Sequence, residues 1–327
     1  MKNTACMIIA AAGFVFPHAV QAQNTSYPTK PVRIVSPFAP GGGSDLMART
    51  LAAELGRDLK ESFIVDNRTG GNGNIGTDIV ARAPADGYTL LLTTNATIVI
   101  NPQLFTKVVT YDPVKDFSPV SLVASQPFVL VLHPSVPAKT VPELIALAKS
   151  RPGTLNYSSS GSGGGAHLAG EMLKTFAAID ITHVPFKGSS PGLVALTGGQ
   201  VQFMFVAVLA AMPLIEQNRL RAIAVSTRKR NPALPNLPAV CEYPGLENFE
   251  SDLWYGLLAP GKTSPAVIEK LYATTRAALS RAEVKNRFEP SGTVLVGSSP
   301  QAFAQTIRAD IARWGKVITA AKVTPEY

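Results

Sequence analysis

Apolar residues along the chain alternate between short continuous runs and repeats of one residue in four. Residues 32–35 form a mainly apolar run, which the segment PFAPGGGSD interrupts. Downstream, apolar side chains recur every four residues, at Met47, Leu51, Leu55 and Leu59. This spacing marks one face of a helix, Ser44 is a favourable N-cap, and Asp45 adds a negative charge to the first turn. The segment therefore predicts a strand, a turn and a helix, in that order.

The same strand, turn and helix unit recurs through most of the chain. Predicted strands occupy residues 63–65, 88–92, 128–132, 155–157, 201–206 and 253–260, and predicted helices occupy residues 77–83, 140–150 and 167–177. The segment TTNAT after residue 92 is predicted to be a polar loop. Ser-Pro pairs at 264–265 and 299–300 predict the starts of two further helices. Strands that alternate with helices indicate a mostly parallel sheet.

The pattern restarts at Pro127, and the chain ends in helices that need a sheet to cover. We therefore predict an α/β fold of two lobes, each a mostly parallel sheet flanked by helices, with two crossing segments between them. The predicted division assigns residues 23–123 and 250–327 to the first lobe and 124–249 to the second.

The N-terminal residues have the pattern of a secretory signal. Lys2 precedes a small and apolar run over residues 5–16, and Val20 and Ala22 are the small residues that signal peptidase requires. The run is shorter than the ~20 residues of a membrane-spanning helix. We predict that residues 1–22 are a signal peptide and that the mature protein is periplasmic.

Export changes the charge and the cysteine count only slightly. Removal of Lys2 lowers the net charge from +8 to +7, and Cys241 is left as the single cysteine, so no internal disulfide is expected. The lysines and arginines are scattered and do not form a stripe, which argues against a nucleic acid partner.

Three glycine-rich turns raise the question of a nucleotide cofactor. Residues 71–76 spell G-x-G-x-x-G, residues 161–166 spell G-x-G-x-x-A, and PGGGSD occupies residues 40–45. A dinucleotide fold needs an acidic residue ~20 positions on, at the end of the next strand. Asp86 and Asp180 both precede their strands, and no phosphate-loop motif is present. We therefore predict no cofactor.

Catalytic and metal-binding patterns are also missing. The G-x-S-x-G motif does not occur, Ser158–Ser160 lie in a flexible glycine run, and the histidines of the mature chain are not at ligand spacing. An exported α/β enzyme remains the less favoured alternative to a binding protein. His167 is predicted either to donate a hydrogen bond to the turn or to a ligand, or to be a packing residue.

Strand-to-helix turns of this kind can bind anions. Their backbone N–H groups point outward at a helix N-terminus, which contributes ~0.3–1 kcal/mol to a charge, and hydrogen bonds to a charged group add ~1.5–3 kcal/mol each. Two such turns that face each other across a cleft could reach the ~8 kcal/mol of a micromolar ligand.

Four segments carry a resemblance to a known family: YPTKPVRIVSPFAPGGGSDLMAR, NRTGGNGNIGTDIVARAPADGYTLL, NYSSSGSGGGAHLAGEML and HVPFKGSSPGLVALTGGQVQFMF. In their order and spacing they resemble the Bug family, the periplasmic solute receptors of tripartite tricarboxylate transporters. The resemblance implies a two-lobed Venus flytrap fold that holds a small carboxylate between its lobes. It also implies that residues 38–45 and 158–167 bind one ligand carboxylate, and that GNGNIG is a structural turn.

The implied ligand contacts lie in four segments. They are Phe38, Pro40, Gly42, Gly43, Ser44 and Asp45; Thr94, Asn95 and Ala96; Ser160, Gly161, Ser162, Gly163 and His167; and Val206 and Ala207. Many relatives have Asp or Asn where this chain has Val206, which favours a ligand with an apolar body, such as an aromatic or aliphatic mono- or dicarboxylate. The implied partners are membrane permease subunits or, alternatively, a sensor kinase, and the protein is expected to be a monomer.

Overall fold

The computed structural model describes residues 27–320 and residue 323. The predicted signal peptide, residues 1–22, lies outside them. The strands are β1 (Val32–Ser36), β2 (Phe63–Asn67), β3 (Thr89–Thr94), β4 (Phe117–Leu132), β5 (Asn156–Ser159), β6 (Thr182–Pro185), β7 (Phe203–Ala207), β8 (Arg221–Val225), β9 (Asp252–Pro260) and β10 (Val294–Leu295).

The α-helices are α1 (Gly43–Leu59), α2 (Asn74–Ala81), α3 (Asn101–Leu104), α4 (Val141–Ser150), α5 (Gly165–Ala177), α6 (Ser189–Thr197), α7 (Val208–Glu216), α8 (Pro265–Leu279), α9 (Ala282–Phe288) and α10 (Pro300–Ala320). Helices α8 and α10 begin at the prolines of the two predicted Ser-Pro pairs. The loop predicted after β3 is instead helical, because a π-helical turn over Ala96–Ile100 leads directly into α3.

The strands form one curled sheet in the order β2-β1-β3-β9-β4-β7-β5-β6, and β8 and β10 also pair with β4. Strands β1 to β3 are parallel to one another, and so are β5, β6 and β7. Strands β4 and β9 run antiparallel to their neighbours at the centre of the sheet. The outer strands of each half thus have the predicted parallel arrangement, and the antiparallel pairing belongs to the strands that join the halves.

Strand β4 joins the two halves because it changes partners along its length. Its residues up to Pro127 pair with β9, and those from Phe128 onward pair with β7. The second crossing runs alongside it: the Ser226 amide donates to the Phe128 carbonyl (2.9 Å), and the Ser251 amide donates to the Ser226 carbonyl (3.0 Å).

The C-terminal helix α10 packs on the first half of the sheet. Helix α10 places Phe303, Ile307 and Trp314 in a buried cluster with Val35 of β1 and Trp254 of β9. No helix within residues 27–320 is long and apolar enough to span a bilayer.

Candidate functional site

A cavity, here called the inner cavity, lies between the two halves of the sheet. The N-terminus of α1, which follows β1, borders it on one side, and the N-terminus of α5, which follows β5, borders it on the other. The cavity has a volume of about 50 Å³. None of the described residues that line it has a charged side chain. Its electrostatic character therefore comes from the two helix ends.

Both helix N-termini present backbone donors to this cavity. The first intrahelical bonds are those from the Leu46 amide to the Gly42 carbonyl and from the Leu168 amide to the Gly164 carbonyl, both 3.0 Å. The amides of Gly43, Ser44, Gly165 and Ala166 precede those bonds, so they have no partner within their helices. Neither N-cap is closed by a side chain. The two ends together can donate several hydrogen bonds to one anion.

Tyr255 of β9 adds a side-chain donor that the sequence analysis did not identify. Its ring is 1% exposed, and its hydroxyl oxygen lies so near Gly43 that a Cβ there would overlap it. The hydroxyl accepts a 2.6 Å hydrogen bond from Gln126 Nε2, so its own hydrogen is available to another acceptor. Burial raises the pKa of Tyr255 well above its usual value, which keeps the hydroxyl protonated.

A chain of hydrogen bonds fixes the orientation of this hydroxyl. Gln126 Oε1 accepts from the Thr293 hydroxyl at 3.0 Å, and Thr293 in turn lies 2.8 Å from the Ser291 hydroxyl. Because the Gln126 oxygen is occupied by Thr293, its NH₂ group must point toward Tyr255. The Tyr255 hydroxyl is thereby left as a donor beside the α1 N-terminus.

Asp45 is a structural residue of the first turn and does not line the cavity. Its carboxylate accepts hydrogen bonds from Arg49 Nε, the Gly41 amide and Asn67 Nδ2, each at 3.0 Å. Burial by itself would raise the pKa of Asp45, but the bonds from Arg49, Gly41 and Asn67 and the charge of Arg49 outweigh it and lower the pKa. The ionised carboxylate stabilises the turn through these hydrogen bonds, and the positive charge of Arg49 offsets its negative charge.

His167 has the corresponding role in the second turn. Its Nδ1 accepts a 2.9 Å hydrogen bond from the Gly163 amide, and its ring stacks on that of His183 at 3.9 Å. Burial, followed by the charges of His183 and Lys174, lowers the pKa of His167 to about 3. The neutral ring makes no ion pair with Glu171, although the two lie 3.9 Å apart. His167 therefore accepts from the turn and does not donate to it.

The predicted contact residues separate into three groups. The inner cavity is lined by Phe38, Gly42, Gly43, Ser44, Thr94, Ala96, Ser160, Val206 and Ala207. Gly161 and Ser162 line a second cavity nearer the surface, to which Phe38 and Ser160 also belong. Pro40, Asp45, Asn95, Gly163 and His167 line neither cavity.

The residues of the last group have contacts within the protein. Pro40 accepts a hydrogen bond from the Ser190 hydroxyl at 3.2 Å, and Asn95 Nδ2 donates to the Asp252 carbonyl at 2.9 Å. A Cβ at Gly163 would meet the Phe105 ring at 2.6 Å. These residues shape the turns and the contacts between the halves.

The remaining lining residues are mostly apolar side chains of the central strands. They are Phe128, Gly164, Gly165, Ala166, Ser189, Met204, Phe205, Leu253 and Tyr255. One signal for Tyr255 was present in the sequence, because a tyrosine in a buried strand needs a partner for its hydroxyl. Phe128 and Leu253 gave no such signal, since Phe128 enters the site through the pairing of β4 with β7, and Leu253 through the pairing of β9 with β4. Within the described residues, no group of three or more His, Cys, Asp or Glu side chains could hold a metal ion.

Comparison with known proteins agrees with this geometry. Residues 47–323 match the tripartite tricarboxylate transporter family receptor, TctC. Protein BugT of Bordetella pertussis is 35% identical over 322 residues, which cover 97% of this chain and 96% of BugT. Among solved structures, R. palustris Rpa4515 with adipate has a TM-score of 0.88 and 37% identity, and covers 92% of this chain and 100% of its own. MatC (Rpa3494) from Rhodopseudomonas palustris with bound malate has a TM-score of 0.85 and 32% identity, over 89% of this chain and 100% of its own.

This family and the similar structures are solute-binding receptors and not enzymes. The chain belongs to the family of tripartite tricarboxylate transporter receptors, which includes the Bug proteins. The predicted family and the predicted fold class are both confirmed.

Proposed function

We propose that the protein captures a small carboxylate in the inner cavity and delivers it to the membrane subunits of a tripartite transporter. The observation that carries this proposal is the convergence of the α1 and α5 N-termini on one uncharged cavity. The similar structures that hold adipate and malate support the same ligand class.

In the proposed complex, one carboxylate group bridges the two halves of the protein. One oxygen accepts from the amides of Gly43 and Ser44 and from the Tyr255 hydroxyl, and the other accepts from the amides of Gly165 and Ala166. Hydrogen bonds to a charged group contribute ~1.5–3 kcal/mol each, so a few of them suffice for micromolar affinity. The apolar walls around Val206 suit a ligand body without further charge.

Ligand binding would favour the closed arrangement of the lobes, because only that arrangement brings both helix ends within reach of one group. The moving bodies in this proposal are residues 23–123 with 250–327, and residues 124–249. Among the hydrogen bonds that already join them are one from Asn72 Nδ2 to the Ser162 carbonyl and one from the Ser190 hydroxyl to the Pro40 carbonyl. We propose that the receptor acts as a periplasmic monomer, after removal of residues 1–22.

A thermal-shift screen tests the proposal. Purified mature protein would be heated with aliphatic and aromatic carboxylates, with the neutral amide of each acid, and with nucleotides and sugars. A ligand at 100 times its Kd stabilises by ~2.7 kcal/mol, which is visible as a rise in Tm. We expect shifts with a subset of the carboxylates and none with their amides. Equal shifts with acid and amide, or a shift with NAD alone, would overturn the proposal.

A further inference from the structure

Asn72, in the glycine turn between β2 and α2, reaches across the boundary between the lobes. Its Nδ2 donates to the carbonyl of Ser162, in the turn that leads into α5. Its backbone has a φ of 55°, in the left-handed region that asparagine tolerates better than most residues. Neither Asn72 nor Ser162 lines the inner cavity. This contact therefore joins the lobes without being part of the headgroup site.

A buried network of asparagines holds the Asn72 side chain in place. Asn101 Oδ1 accepts from Asn72 Nδ2 at 2.9 Å, and Asn101 Nδ2 donates to the Asn72 carbonyl at 3.0 Å and to Asn74 Oδ1 at 2.7 Å. Asn74 Oδ1 also lies 3.0 Å from the Tyr111 hydroxyl. Asn101 is fully buried, and Asn74 is nearly so. One hydrogen of the Asn72 amide group is thus used within the first lobe, and the other is directed at the second.

The π-helical turn over Ala96–Ile100 connects this network to the ligand site. Ala96, at the start of the turn, lines the inner cavity, and Asn101 follows the turn directly as the first residue of α3. Single π-helical turns occur frequently at functional sites. Here one short segment supplies both a wall of the inner cavity and the central residue of the asparagine network.

Two glycines of the second-lobe turn have the shape that this contact needs. Gly161 and Gly163 have φ angles of 138° and 77°, which few residues other than glycine adopt. A Cβ at Gly161 would overlap Asn72 Oδ1, and a Cβ at Gly163 would meet the Phe105 ring at 2.6 Å, in both cases across the lobe boundary. Neither glycine lines the inner cavity. Their missing side chains serve the close approach of the lobes.

We propose that Asn72 is a latch for the closed receptor, which positions the second-lobe turn, and with it the α5 N-terminus, on a carboxylate held by the first lobe. This inference rests on the proposed function, because the lobes need a bound carboxylate on which to close. The latch contacts the protein and not the headgroup. It therefore stabilises the closed complex of each carboxylate by the same factor, and it does so by slowing release.

Stopped-flow measurement of association and dissociation rate constants tests the latch. The ligands are adipate, malate and benzoate, and the proteins are wild type, Asn72→Gly, Gly161→Ala and the double variant. Asn72→Gly removes the side chain and places at φ 55° a residue that adopts this angle readily. Asn218→Gly is the matched control, because Asn218 has a φ of 57° and is an exposed residue outside both cavities. A Tm measurement on each variant checks that it is folded.

We expect Asn72→Gly to raise the dissociation rate constant ~2- to 10-fold, by the same factor for each carboxylate, and to leave the association rate constant unchanged. Gly161→Ala should also raise it, because the Cβ overlaps Asn72 Oδ1. The backbone strain of alanine at residue 161 is common to both backgrounds, whereas the overlap disappears with the Asn72 side chain. Gly161→Ala should therefore have a smaller effect in the Asn72→Gly background than in wild type. Asn218→Gly should behave as wild type.

The possible failures are distinct. If the carboxylates bind wild type but Asn72→Gly leaves their dissociation rate constants unchanged, or changes them by a different factor for each, the latch is refuted and the proposed function stands. The latch is also refuted if Gly161→Ala has the same effect in both backgrounds. If no carboxylate binds wild type, the proposed function and the latch are both refuted.

Discussion

Replacement of Tyr255 by phenylalanine removes one oxygen from the wall of the inner cavity and leaves the buried ring in place. In the native protein that oxygen accepts the 2.6 Å hydrogen bond from Gln126, lies beside Gly43 at the start of α1, and keeps its own hydrogen for another acceptor. The variant should therefore lose both ligand affinity and some stability, by two separable mechanisms.

The two losses can be worked out from these contacts. A hydrogen bond to a charged headgroup contributes ~1.5–3 kcal/mol, so affinity for a carboxylate should fall roughly 10- to 150-fold. The buried Gln126 amide loses its acceptor, which costs ~1–3 kcal/mol in the free energy of unfolding. For a protein of this size, each kcal/mol of that cost lowers Tm by at most about 2–4 °C.

Calorimetry would measure the affinity, and thermal melts would measure the stability. Tyr111→Phe is the matched control, because the Tyr111 hydroxyl is also buried, donates to the Thr97 carbonyl at 2.6 Å, and does not line the inner cavity. It should lower Tm and leave affinity unchanged. Wild-type affinity in Tyr255→Phe, or an equal loss of affinity in Tyr111→Phe, would refute the assignment of Tyr255 as a headgroup donor.

Three further changes test other parts of the site. Gly43→Ala puts a Cβ against the Tyr255 hydroxyl and should weaken carboxylate binding at least ~10-fold by calorimetry. The control Gly198→Ala lies outside the cavity and should leave the affinity unchanged. Equal affinities of the two variants would contradict the close approach of the ligand to Gly43. His167 has a folded pKa of about 3 against an unfolded value near 6.5, so the unfolded chain binds more protons between these values and the unfolding free energy falls on acidification by ~1.4 kcal/mol per pH unit. Urea unfolding between pH 7 and pH 4 should show that the free energy of unfolding falls less steeply with acidification in His167→Asn than in wild type. The same dependence on pH in both proteins would argue against a neutral His167. Asn72→Ala removes the donor to the Ser162 carbonyl and should lower ligand affinity ~2- to 10-fold, because the closed arrangement of the lobes is weakened. If the affinity and the radius of gyration from small-angle scattering are both unchanged, this hydrogen bond does not contribute to closure.

The local parts of this fold could be predicted from the sequence. Strand, glycine turn and amphipathic helix are encoded within about 25 neighbouring residues, and residues of the turns at 40–45 and 160–166 line the inner cavity. The turn over residues 70–76 connects β2 to α2, as the family resemblance implies. The sequence could not predict that this turn also lines the second cavity, because this position depends on how the two halves of the sheet face each other.

The long-range parts could not be predicted, because no short stretch of sequence encodes them. The antiparallel pairings of β9 with β3 and with β4 bring together residues more than 120 positions apart, and they place Tyr255 beside Gly43. The sequence of β9 does not indicate whether the strand runs parallel or antiparallel to its neighbours, because it is an apolar run with both faces buried.

The contacts that Asp45 and His167 make within their turns had partial signals in the sequence. Arg49 lies four residues after Asp45, the spacing of an ion pair on one helix face, so the clamp could have been anticipated. His167 lies four residues after Gly163, within reach of its amide. In both cases a polar side chain beside a glycine turn stabilises the turn itself, and the backbone amides are left for the ligand.

The central claim is that one carboxylate engages the N-termini of α1 and α5 together. The most direct measurement is a titration of ¹⁵N-labelled protein with a carboxylate found in the thermal screen, followed by the backbone amide resonances of Gly43, Ser44, Gly165 and Ala166. The account predicts that all four resonances shift and saturate with a single Kd. Movement at only one helix end, or at the turn over residues 70–76 with neither helix end affected, would contradict it.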